Sequence, residues 1–108
     1  MLEQAAEIAQ TALPGLVAKF PPMANYSDEQ LTRTREDLAF NVQFLAAAML
    51  VRDDTIFTDF LDWLQSLLTN RGVPRTALPA GLEALKLAVH GVSPDGLRLL
   101  ELGYRSLG

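Results

Sequence analysis

Residues 38–51 read LAFNVQFLAAAMLV, and only Asn41 and Gln43 among them carry polar side chains. A helix at a protein surface turns an apolar stripe inward and a polar face toward water. This run has no polar face of that width, so it is expected to be a helix enclosed by other parts of the fold. A bilayer would be the other apolar surrounding, but the run falls short of the roughly 20 residues that span one. Arg52, Asp53 and Asp54 follow it directly. The reading is a core helix with protein around it, in which Phe44 is a buried aromatic.

Working outward, four further helical segments frame this one, and no alternating strand pattern competes with them. The first is Leu2–Phe20, where Leu2, Ala5, Ala9, Leu13, Leu16 and Phe20 recur at spacings of three and four. Pro14 falls on the opposite side, and Pro21-Pro22 ends the segment. The long segment opens at Ser27, with Gln30 three residues later in a capping-box arrangement and Asp28 and Glu29 in the first turn. The third, Asp54–Asn70, places Ile56, Phe57, Phe60, Leu61, Leu64, Leu67 and Leu68 on one face and Thr58, Asp62, Gln65 and Thr69 opposite. Asp53 or Asp54 caps its start and Gly72 ends it.

The fourth segment runs from about Thr76 to His90, with a core stripe of Leu78, Leu82, Leu85, Ala88 or Val89, and Val92. Gly91 stops it. The fifth has Ser93 as N-cap, Pro94 at its first position and a core stripe of Leu97, Leu100, Tyr104 and Leu107. The connections are short and rich in Gly, Pro and Asn, which favours antiparallel neighbours. The expected architecture is all-α, a single domain over residues 1–108, with four to five antiparallel helices packed around a central apolar helix.

Composition narrows the function classes. The chain has 108 residues, 49% hydrophobic and 20% charged, an ordinary globular mix. A net charge of −4, with 9 scattered Lys and Arg, argues against binding nucleic acid. There is no cysteine and one histidine, which excludes thiolate chemistry and multi-histidine metal sites. The acidic opening MLEQAAEIAQ lacks the basic start of a secretory signal, so a cytoplasmic location and no membrane span are expected.

Few residues suggest chemistry. His90 projects away from the fourth segment's core stripe and reads as a surface side chain at a helix end. Asp59 and Asp62 are neighbours on the wet side of the third segment, where nothing would separate their pKa values for acid–base work. Arg52-Asp53-Asp54 is a helix stop followed by a cap. No phosphate loop, nucleophile elbow or metal motif is present, so neither an enzyme nor a cofactor is expected. Asn41 is either a buried amide that fixes helix register or one of the few polar contacts in a ligand cavity. Trp63 is expected half-buried at the rim of its helix.

Residues 33–74, RTREDLAFNVQFLAAAMLVRDDTIFTDFLDWLQSLLTNRGVP, combine an R-x-x-L run entering a long apolar helix, an acidic turn, an F-x-D-F-L-x-W-L helix and a terminal R-G-V-P. This pattern resembles the helical domain that precedes cobalamin-binding domains in some bacterial sensory and regulatory proteins. The resemblance implies a regulatory module that pairs with itself or with a partner domain. It does not imply cobalamin capture, because Trp63 leads into LQSLLTNRGVPR and not into the Glu-His found nine residues after the Trp of light-sensing cobalamin regulators.

Two functional readings remain. The first is a non-catalytic sensor or interaction domain, self-associating as a homodimer through Leu87, Leu99 and Leu102, which lie off the core stripes of the last two segments. The second is a small-molecule-binding bundle, with an apolar or tetrapyrrole-like ligand among Phe40, Asn41, Phe44, Phe60 and Trp63.

Overall fold

Ser27 sets where the long helix begins. In the computed structural model, which describes residues 2–107, its hydroxyl accepts from the Gln30 N–H at 3.2 Å while its own N–H donates to Gln30 Oε1 at 2.8 Å. This reciprocal box satisfies two amides that a helix start leaves without partners. Five α-helices follow in chain order: α1 (Ala5–Lys19), α2 (Asp28–Val51), α3 (Asp54–Asn70), α4 (Ala77–Val89) and α5 (Pro94–Leu107). Short 3-10 turns at Leu2–Gln4 and Pro21–Asn25 flank α1. No strand occurs among the described residues, and the fold is an all-α bundle.

Several helix boundaries have local causes. Arg52 ends α2 in the left-handed region at φ 58°, and the N–H groups of Arg52 and Asp53 return to carbonyls of the last turn. Asp53 then caps α3 through a 3.0 Å bond from the Thr55 N–H. Gly72, at φ 80°, closes α3 and turns the Val73 N–H back onto the Leu68 carbonyl at 2.9 Å. Ser93 Oγ accepts from the Gly96 N–H at 3.0 Å, and Pro94 occupies the first position of α5. Pro14 sits inside α1 on its exposed side.

The helices close a ring. α1 packs against α2 and α4, α2 against α3, and α3 and α4 both against α5, while α2 and α5 touch across it. The 24 residues of α2 span about 36 Å at 1.5 Å per residue, close to the 38 Å long dimension of the molecule. Val42, Leu45, Phe57, Leu61, Leu82, Leu85, Val89, Leu99 and Leu100 are fully buried at its centre.

The ring corrects several expected faces. α2 is not enclosed: α1, α3 and α5 cover one side, and Phe40, Gln43, Phe44, Ala47, Leu50 and Val51 face outward. α5 keeps part of its expected stripe, with Leu100 buried and Leu97 and Leu107 half-buried against the core, but it is turned enough to bury Gly96, Leu99 and Gly103 as well and to leave Tyr104 exposed. The cause is Gly103, where an added Cβ would lie 2.5 Å from Leu61 Cδ1 and 2.8 Å from Phe57 Cε2. The missing side chain lets α5 approach α3, and the approach draws Leu99 inward. Gln65, expected on the wet side of α3, is buried, and Val92 is exposed. In α1 the buried face is Ala5, Ile8, Ala9, Ala12 and Leu16. The side chain of Leu2, assigned to the same face, lies outside the described residues.

Candidate functional site

The outer side of α2 begins as an ordinary wet face with Arg33 and Glu36, then continues one turn at a time into Phe40, Phe44, Ala47 and Val51. Phe40 is 50% exposed, Leu50 83% and Val51 59%. Phe44 stacks on Phe60 of α3 with ring centroids 4.1 Å apart and planes 8° from parallel. Trp63 continues the row at 6.0 Å from Phe60 and is 60% exposed, at the rim of its helix and somewhat further out than the half-buried position expected of it. Phe60 alone among the four aromatics is buried, roofed by its neighbours. Phe44, expected in the core, is 40% exposed.

The expected ligand pocket therefore divides. Phe40, Phe44, Phe60 and Trp63 form an aromatic ridge on the outside, while Asn41 turns inward and is buried. The expected interface divides as well. Leu99 is fully buried and leaves the exposed set, whereas Leu87 and Leu102 remain exposed. Beside them, Lys86 bridges Glu83 at 3.4 Å and also bonds Glu101 of α5, with its ammonium 5.6 Å from the Tyr104 ring centre. The hydrogen bond from Lys86 holds the Glu101 carboxyl below the usual carboxylate range and raises the Lys86 ammonium. The seam between α4 and α5 is thus closed by charge.

His90 is exposed at the end of α4, and Asp59 and Asp62 are exposed on α3. Among the described residues no group of three His, Cys, Asp or Glu side chains is placed to hold a metal ion. Among the described residues no helix is long and apolar enough to cross a membrane.

A partly open cleft of about 240 Å³ lies on Asn41's side of α2. Leu16, Phe20, Met23, Leu38, Leu64, Leu68 and Leu78 form its apolar walls, and Tyr26, Arg33, Asp37 and Arg71 stand among its polar groups. Burial pushes the Asp37 carboxyl up from its ordinary value. Arg71 and Arg33 oppose that rise and Glu36 adds to it. A carboxyl raised on folding penalises the folded state above its folded pKa, and the penalty fades as pH falls toward the unfolded value. Asp37→Asn is therefore expected to raise the urea midpoint at pH 7, by an amount within about 0.5 kcal/mol, with the gain shrinking at acid pH. A lower midpoint at pH 7 would mean that attraction to Arg71 outweighs burial.

Comparison with family models and with curated proteins found no match. The aromatic ridge had one sequence signal. Arg33 and Glu36 mark the wet face of α2, and extending that face at helical spacing passes through Phe40, Phe44, Ala47, Leu50 and Val51. Asp37 and Arg71 had none, because the α2–α3 pairing that brings them together is a tertiary fact.

Proposed function

We propose that this chain is a non-catalytic regulatory interaction domain that self-associates through the aromatic ridge of α2 and α3. The observation that carries the reading is the unbroken apolar row Phe40, Phe44, Ala47 and Val51, flanked by Leu50 and Trp63 and open to solvent. Large contiguous apolar patches are rare on monomers and mark contact surfaces, and aromatic residues, Trp above all, dominate interface energetics. Continuity of the row along α2 suits a second long helix laid beside it.

The occupant is a second copy of this chain. Glu36 lies eight residues before Phe44 and Arg52 eight after it. In an antiparallel two-fold pair centred on Phe44, each Glu36 comes level with the Arg52 of the other copy, so both ends of the ridge gain an opposite charge. The resemblance of residues 33–74 to helical domains of bacterial sensory proteins supports the regulatory part of the reading, with pairing as the output. Cobalamin has no role in it.

Sedimentation velocity at micromolar concentration tests this. The wild type is expected to sediment at twice the 11.8 kDa chain mass. Phe40→Glu and Val51→Glu, at exposed positions that leave the core untouched, should each weaken association by more than about tenfold, because a charge would be buried in an apolar contact. Glu36→Arg and Arg52→Glu should each weaken the dimer, and the double variant should restore it. A monomeric wild type, or a dimer indifferent to all four changes, overturns the proposal.

A further inference from the structure

We propose that the cleft beside Asn41 is a binding site for a small, largely apolar molecule that carries no positive charge and bears one hydroxyl or N–H donor. The site is distinct from the ridge and independent of the dimer reading, since none of Phe40, Phe44, Phe60 or Trp63 lines it.

The inference begins with one atom. Asn41 is 2% exposed, and its Nδ2 donates to the Asp37 carbonyl at 3.0 Å. Its Oδ1 is buried with no hydrogen-bond partner. Reversing the amide would set Oδ1 against that carbonyl, two acceptors facing each other, so the orientation follows from the helix itself. What Asn41 offers the cleft is therefore an acceptor. Nearly all buried polar atoms in folded proteins have a partner, and a lone carbonyl oxygen in an apolar wall calls for a donor from outside the chain.

The surroundings define the rest of the ligand. Around Asn41 the walls come from four helices and the Pro21–Asn25 turn: Leu16, Met23, Leu38, Leu64 and Leu78 are all apolar. An apolar cavity of roughly 150 Å³ holds benzene, so about 240 Å³ accommodates a substituted single ring or a branched chain of similar bulk. That volume is too small for a tetrapyrrole, which would need a pocket toward the upper part of the usual ligand range of about 300–1,000 Å³. Arg33 and Arg71 also line the cleft, two cations against the one carboxyl of Asp37, so a net cation is not favoured. An apolar body seated in the cleft, with its donor on Asn41 Oδ1, meets every one of these features.

The test uses two probes, 4-propylphenol and its methyl ether, in which a methyl replaces the donor hydrogen, titrated into the wild-type chain and followed by amide and side-chain NMR shifts. The phenol is expected to shift Leu38, Asn41, Leu64 and Leu78 and to bind about fivefold to tenfold more tightly than the ether, the worth of one neutral hydrogen bond. In Asn41→Leu, which replaces the amide by an apolar side chain of similar size, both probes should bind equally. If Asn41→Leu fails to fold, the phenol–ether comparison in the wild type still decides. No binding of either probe at millimolar concentration overturns the site, as does equal wild-type binding of phenol and ether. A phenol preference that survives Asn41→Leu overturns the role of Asn41. Shifts confined to Phe40, Phe44 and Trp63 would place probe binding on the ridge and overturn the cleft.

Discussion

Phe57→Ala should lower the unfolding free energy by about 3–5 kcal/mol, because the ring it removes is fully buried and its neighbours cannot collapse into the space. Phe57 stands on α3 where that helix meets α5, with the Gly103 backbone against its edge. The facing helix presents no side chain at Gly103, so the gap opens against backbone with no side chain directly opposite to fill it. For a domain of this size the loss is a large part of a total that is usually about 5–15 kcal/mol. Urea denaturation of the variant should show a lower midpoint at an unchanged slope. The comparison is Phe44→Ala, which deletes an aromatic of equal volume at a half-open position and should cost the monomer well under half as much. Equal losses at the two positions would mean that the ridge is as buried as the core. A loss at Phe57 under about 1 kcal/mol would mean that the α3–α5 contact is not where the fold closes.

The difference between those two phenylalanines marks where the sequence is readable. Helix ends are local: Ser27 with Gln30, Asp53 with Thr55, Gly72 and Ser93 with Pro94 each act within a few residues, and all are visible before any tertiary structure exists. Helix faces depend on what lies alongside. Helical spacing pointed to Leu97, Leu100, Tyr104 and Leu107 as the inward face of α5; Tyr104 is exposed instead, and a glycine with no side chain set the closest approach and turned Leu99 into the core. The apolar run of α2 suggested full enclosure, but a ring of five helices leaves its long member one open side. Asn41 was recognisable as unusual from its neighbours alone. That Asn41 lines a cleft walled by α1, α3 and α4, and does not join the nearby aromatics, follows from packing no single segment encodes.

Gly103→Ala is expected to destabilise the protein by about 1–3 kcal/mol, although alanine is the better helix former by about 1 kcal/mol. The added methyl would sit 2.5 Å from Leu61 Cδ1 and 2.8 Å from the Phe57 ring, both on fully buried side chains with no free volume to retreat into. Gly15→Ala supplies the opposite sign. There the new methyl meets only Ala84 Cβ at 3.9 Å, an ordinary contact, so the helix preference prevails and a gain of up to about 1 kcal/mol is expected. A double-mutant cycle separates crowding from any other effect at Gly103. Leu61→Ala alone should cost about 2–5 kcal/mol. In that background the nearest obstruction is gone and the methyl of Ala at position 103 partly fills the vacated space. The double variant should therefore be more stable than the sum of the single losses by about 1 kcal/mol or more. Strict additivity in denaturant melts would show that α5 does not approach α3 through Gly103. The turned face of α5, and the burial of Leu99 that follows from it, would then need another cause.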